Sequence, residues 1–195
     1  MKNKKTKTPY KKDLSYNPDK LAKSKISRIN IQYEAIKFLK AGIKITIIAS
    51  SLDISLTHLR DFFRGIFSES PKGGQMPTIE SLLSTQSRQI EAAIFLEIYI
   101  KFAQSDYKSI DLNNLIKSYN CYEEIRTVLN LDKTPKWKKF DINEAWVIAK
   151  GLISRRIIFR RCSSGCAYIE ASEQSTKLEC PHCKLTNTTK KKLTK

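Results

Sequence analysis

Four of the five cysteines lie within 22 residues near the C-terminus, and their spacing is typical of a metal site. Three residues separate the first pair and two separate the second; the four are Cys162, Cys166, Cys180 and Cys183. Thiolates are preferred zinc ligands, and two closely spaced pairs converge when the chain between them folds back. Four thiolates also leave no open position for a catalytic water. We therefore expect one structural Zn²⁺ per chain.

Two alternatives to this zinc site can be weighed from the sequence. Disulfides are disfavoured because the cysteine count is odd and the basic start leads into no apolar signal segment, which favours a cytoplasmic protein. His182 is a less favoured ligand, since Cys180 and Cys183 already complete the second pair. We expect Gly165 to allow a tight turn before Cys166. Two short strands, at Tyr168–Ile169 and Leu178, are predicted around a turn at 172–175.

The net charge of the chain indicates a polyanionic partner. Its 195 residues hold 36 Lys and Arg against 19 Asp and Glu, which gives +17. Residues 1–28 carry ten basic and two acidic side chains, and residues 186–195 carry four lysines and no acid. We interpret both as basic flexible tails that attract phosphates without reading sequence. The longest apolar stretch has nine residues, too few to span a membrane.

Apolar periodicity predicts a mainly α fold, with a helical domain at 29–151 and a zinc-binding element at 152–185. Helices are expected near 29–40, 45–52, 56–67, 87–102, 110–122 and 141–150. The first three, with a tight turn before the third, favour a helix-turn-helix at about 31–67. The helix at 87–102 is apolar nearly all round, which indicates a core helix or a subunit interface. The whole is a helical bundle followed by a small four-cysteine, zinc-ribbon-like element.

Local signals set the ends of several of these helices. Gly42 and Gly151 are expected to end helices, and Asp141 with Glu144 forms a capping-box pattern. Apolar residues at Ile29, Tyr33, Ile36 and Leu39 have the i, i+4, i+7 spacing of the first helix. Residues 70–77 and 132–139 have no periodicity and are interpreted as a loop and a linker.

Two groups of side chains are candidates for DNA contact. One group lies on the exposed side of the third helix, and the other precedes the cysteines, where zinc would hold it rigidly. The candidates are Thr57, His58, Arg60 and Arg64 in the first group and Arg155, Arg156, Arg160 and Arg161 in the second. Arginine can reach guanine edges or phosphates from either position.

The order of these parts resembles a known family. A helical bundle, a Ser-Pro-Lys-Gly loop at Ser70–Pro77, a long apolar helix, an Ala145-Trp146 helix and the cysteine quartet together resemble FlhC, the flagellar transcriptional activator C subunit. The resemblance implies a zinc-binding subunit that assembles with an FlhD-like partner into a hetero-oligomer. It further implies binding to double-stranded promoter DNA and recruitment of RNA polymerase, at flagellar or mobile-element genes.

Other functions remain open from the residues alone. An RNA-binding zinc-ribbon protein would use exposed aromatic side chains such as Tyr168 or Phe159 for stacking. An assembly or interaction protein would carry the same charge only for solubility. An enzyme is disfavoured, because the chain holds two histidines and no plausible catalytic triad.

Overall fold

The computed structural model describes residues 18–68, 74–103, 109–133, 137–172 and 180–184. Seven α-helices precede a two-stranded sheet: α1 Pro18–Lys40, α2 Ile45–Leu52, α3 Leu56–Phe67, α4 Ile79–Leu82, α5 Gln86–Ala103, α6 Leu112–Val128, α7 Ile142–Ile153, β1 Ile157–Arg161 and β2 Ala167–Ala171. A short 3-10 helix, Leu131–Lys133, follows α6. The predicted mainly α fold is confirmed.

Helix α5 is the centre of the hydrophobic core. It packs against α6, α7 and β2, and Ala92, Phe95 and Leu96 are wholly buried. The Phe95 ring meets the edge of Tyr122 from α6 with centroids 6.0 Å apart. Because neighbours cover α5 on several sides, its apolar residues are not confined to one stripe. The interpretation of this segment as a core helix is confirmed.

Helix α1 is longer than predicted. It begins at Pro18 instead of Ile29, so the predicted tail at 1–28 is helical from residue 18. Proline suits the first helical position, and the Lys, Leu and Ala that follow it favour helix. Among residues 29–40, Ala35 and Phe38 are buried and Leu39 packs against the core, while Ile29 and Tyr33 are 63% and 69% exposed. Apolar spacing predicts the helix but does not show which stripe the next helix covers.

The turn between α2 and α3 has the expected cap chemistry. Asp53 has a left-handed φ of 52°, and the Ser55 hydroxyl accepts a hydrogen bond from the His58 N–H at 3.3 Å. Leu59 is buried. Four candidate DNA contacts on α3 are exposed: Thr57, His58, Arg60 and Arg64. The helix-turn-helix interpretation itself remains a prediction.

Some predicted features lie wholly or partly outside the described residues. These are residues 1–17 and 186–195 of the tails, 70–73 of the predicted loop, 134–136 of the linker, and residues 173–179, which include Leu178. Residues 74–77 of the predicted loop carry no helix or strand. None of the helices in the described ranges is long and apolar enough to cross a membrane.

Gly42 ends α1 as predicted, but Gly151 does not end α7. Asp141 and Glu144 form the predicted capping box at the start of α7, which continues to Ile153. Gly151 lies inside the helix, where a Cβ would come within 2.7 Å of Ile157 and 2.8 Å of Ile79. The glycine is there because β1 and α4 approach the helix closely at this point.

We expect Gly151→Ala to destabilise the protein by about 1–3 kcal/mol through overpacking, although alanine is the better helix former. Urea denaturation of both proteins measures the difference. Gly65→Ala in α3 is the matched control, because a Cβ there meets nothing within 4 Å. It should be neutral or slightly stabilising. A G151A protein as stable as its parent would show that Ile79 and Ile157 move aside without cost.

Candidate metal centre

The first cysteine pair lies in the turn of the β-hairpin. Strands β1 and β2 are antiparallel, with Ile157 opposite Ala171 and Arg161 opposite Ala167. The Cys162 N–H donates to the Cys166 carbonyl at 3.0 Å, and the Gly165 N–H donates back to the Cys162 carbonyl at 2.9 Å. Gly165 has a φ of 78°. The predicted tight turn is confirmed, and its backbone hydrogen bonds bring both thiols to one side.

The strand that contains Tyr168 and Ile169 pairs with β1. Both residues lie in β2, a strand as expected, whereas the second predicted strand at Leu178 lies outside the described residues. Ile157 and Ile169 are both buried in the hydrophobic core. A β-branched strand directly before the short cysteine turn and a second strand directly after it form this local hairpin.

The second pair joins the first from a short helical turn at residues 181–184. Cys180 is 9% exposed, and its carbonyl accepts a hydrogen bond from the Lys184 N–H at 3.0 Å. Ligand atoms of all four cysteines lie within 4.8 Å of one another. The sulfurs of Cys162 and Cys183 are 3.8 Å apart. Sulfurs around a tetrahedral zinc ion, each at ~2.3 Å from it, are separated by about 3.8 Å. The four residues can therefore hold a metal ion.

The electrostatics of the cluster favour a bound cation. Burial raises the pKa of Cys166 to about 12, together with hydrogen bonds to Cys162 and Cys183 and the charge of those thiolates. Burial also acts to raise the pKa of Cys162, but N–H donors from Cys166 and Ser164 and the neighbouring thiols lower it to about 7. The Cys162 thiol thus loses its proton readily, and its negative charge opposes deprotonation of Cys166. A metal ion removes this conflict by stabilising all the thiolates at once.

Both parts of the cysteine site, the β1–β2 hairpin and the turn at 181–184, are attached to helix α5. Arg161 forms an ion pair with Glu97 at 2.7 Å, and the Gln86 side chain donates a hydrogen bond to the Pro181 carbonyl. His182 lies beside the sulfurs, in the lining of a cavity of about 230 Å³ that Ala93 and Glu97 also line. Burial lowers the pKa of His182. Among the described residues, the group close enough to hold one metal ion consists of the four cysteines and does not include His182.

Three of the four candidate arginines near the cysteines are held by carboxylates. Arg156 pairs with Glu80 at 2.8 Å, Arg160 with Glu170 at 2.7 Å, and Arg161 with Glu97. On α3, Arg64 lies 3.6 Å from Asp61. The sequence indicates these arginines as candidates but does not show which carboxylates lie beside them. Only the Arg160–Glu170 contact could have been found in advance, had the hairpin register been known.

The fold and site define a mainly helical protein with a C-terminal four-cysteine centre suited to a metal ion. The chain belongs to the FlhC family, because the family profile described as flagellar transcriptional activator (FlhC) matches residues 21–195. This is a family of transcriptional activators and not of enzymes.

A curated relative carries the same family name. The chain is 22% identical over 128 residues to a flagellar transcriptional regulator FlhC of Cupriavidus metallidurans. The match covers 66% of this chain and 57% of the relative. The chain thus matches little more than half of the relative's length.

Proposed function

We propose that this chain is a sequence-specific DNA-binding transcriptional activator of the cytoplasm. It acts as the zinc-containing subunit of a hetero-oligomer with an FlhD-like partner and recruits RNA polymerase. The observation that carries the proposal is the family match over residues 21–195. The four-cysteine centre supports it, because a closed thiolate site is a structural feature and provides no position for hydrolytic chemistry. The regulated genes are flagellar genes or transfer genes of a mobile element.

Zinc is the metal that the donor set fits best. Cys162, Cys166, Cys180 and Cys183 offer four soft sulfur ligands, and tetrahedral sulfur sites take zinc or iron–sulfur clusters. The sulfur separation matches a single tetrahedral ion. A bound zinc ion would fix the hairpin turn to the helical turn at 181–184 and so hold the arginines of β1 in place.

DNA contact is assigned to two surfaces. The exposed side of α3 presents Thr57, His58, Arg60 and Arg64, and such a helix can enter a major groove. The second surface holds the arginines of β1 and the preceding turn. The ion pairs that hold Arg156, Arg160 and Arg161 orient these side chains and reduce the net charge available to phosphates. The basic tails add attraction that depends on salt and not on sequence.

Binding of the zinc-loaded chain to genomic fragments tests this function. The protein is purified with and without a co-expressed FlhD-like subunit, and retained DNA is sequenced at two salt concentrations. We expect enrichment of defined promoter fragments, strengthened by the partner. Retention that is uniform across sequences and disappears at the higher salt would contradict sequence-specific activation.

A pair of variants assigns the sequence-reading role to α3. We expect Arg60→Ala to change which fragments are enriched, because a base contact carries sequence information. Lys40→Ala removes the same charge from an exposed position on α1 and should leave the ranking of fragments unchanged.

The structure does not favour the RNA-binding alternative. Phe159, a candidate for base stacking, packs against the hydrophobic core instead. Stronger competition by single-stranded RNA than by duplex DNA in the same assay would support that alternative. A stable complex with the partner and no nucleic-acid binding at low salt would support an assembly protein.

A further inference from the structure

Five described residues that follow helices have a left-handed backbone conformation. They are Gly42, Asp53, Ser68, Asn130 and Arg155, with φ between 52° and 81°. Glycine adopts this conformation without strain, and residues with short polar side chains such as Asn and Asp adopt it more readily than most. Arg155 has a long charged side chain and is the exception in this set.

The end of α7 has the same hydrogen-bond pattern as the end of α1. After α7, the Arg156 N–H donates to the Gly151 carbonyl at 2.9 Å and the Arg155 N–H to the Leu152 carbonyl at 3.1 Å. After α1, the corresponding bonds are made by Ile43 and by Gly42. This Schellman motif normally takes glycine at the left-handed position. Arginine at position 155 therefore costs stability that glycine would not, and such a cost often marks a functional residue.

The side chain of Arg155 is free to meet a ligand. It is exposed and forms no ion pair within the part of the chain that the structure describes, whereas Arg156, Arg160 and Arg161 each pair with a glutamate. Lys150 is the exposed residue of α7, and its ammonium lies 4.8 Å from the centre of the Trp146 ring. The last turn of α7 and the residues after it thus present two cations with no carboxylate partner among the described residues.

We propose that Arg155, together with Lys150, is a contact site for backbone phosphates of duplex DNA. The inference rests on the proposed DNA-binding function. It makes Arg155, and not the three arginines paired with glutamates, the main phosphate contact near the cysteines. A guanidinium can donate two parallel hydrogen bonds to one phosphate. Arg155 can do so without first breaking an ion pair, unlike the three arginines paired with glutamates. The negative end of the α7 dipole also attracts cations, but that attraction does not require a left-handed arginine.

Arg155→Gly separates binding from folding. We expect its melting temperature to equal or exceed that of the parent, because glycine is favoured at this backbone position. Affinity of the full zinc-loaded chain for a duplex fragment should fall several-fold at low salt. The plot of log affinity against log salt concentration should become less steep by about 0.9, the contribution of one phosphate contact. Lys139→Ala is the matched control, since it removes an equal charge already paired with Glu123 outside both proposed DNA surfaces, and its slope should stay unchanged.

The outcomes distinguish this inference from the function on which it rests. If the parent protein binds no duplex DNA at low salt, the proposed function and the phosphate site are both wrong. If the parent binds and R155G keeps the full salt slope, only the phosphate site is wrong. An equal loss of slope in K139A would also overturn the inference, because the effect would then follow net charge and not the unpaired arginine. A reduced slope in Lys150→Gln would support the assignment of the second cation.

Discussion

Replacement of Cys180 by serine is expected to abolish stoichiometric metal binding and to unfold the hairpin element at residues 157–184. Cys180 is the buried member of the cluster, and a hydroxyl is a poor substitute for a thiolate ligand. A two-stranded hairpin alone is marginally stable in water, while structural zinc sites contribute about 10–16 kcal/mol in small zinc-finger peptides. Ile157 and Ile169 attach the hairpin to the hydrophobic core, and metal should supply most of the remaining stability at its cysteine end.

Metal content and amide hydrogen exchange measure the two effects separately. The zinc content by elemental analysis should fall from one per chain to well below one. The amides of β1 and β2 should lose protection against exchange, while those of α5 keep it. Cys121→Ser is the matched control, because Cys121 lies in α6 outside the sulfur cluster. If C180S retained one tightly bound zinc, the four-cysteine assignment would be wrong.

The features that the sequence predicts well are those decided within a few residues of the chain. The Asp141–Glu144 capping box needs only residues three apart, and Gly42 ends α1 through hydrogen bonds to the last turn. The cysteine cluster is also decided locally, because one turn brings the two cysteines of each pair together. Metal geometry then limits how the two pairs can be placed.

Features that depend on distant parts of the chain could not be predicted in the same way. The close approach of Ile79 to Gly151 joins residues 72 apart, and the ion pair of Arg161 joins β1 to Glu97 in α5. Hydrophobic periodicity indicates a helix but not which of its faces a neighbour covers, and Ile29 and Tyr33 of α1 are exposed. The sequence likewise does not show that the arginines near the cysteines are paired, because their carboxylate partners come from α4, α5 and β2.

The largest effect on the helical body is expected from Arg126→Leu. Glu91 in α5 and Arg126 in α6 are 0% and 1% exposed and form an ion pair. The Tyr122 hydroxyl also donates to Glu91 at 2.6 Å, and Arg126 donates to the Trp137 carbonyl at 2.8 Å. Loss of Arg126 leaves a buried carboxylate without its cation, which costs about 3–5 kcal/mol. The free energy of unfolding of a folded domain is about 5–15 kcal/mol in total, so R126L should be close to unfolding.

Urea denaturation of two further variants tests whether the cost comes from the unpaired charge. The double variant Glu91→Gln with Arg126→Leu should be more stable than R126L alone, because the glutamine side chain is neutral and its amide oxygen can still accept from Tyr122. Lys139→Ala is the control for an ion pair at the surface: its partner is Glu123, and both side chains are exposed. It should cost about 1 kcal/mol or less. If R126L cost no more than K139A, water or a local rearrangement would have to reach Glu91. The buried pair would then not be what holds α5 against α6.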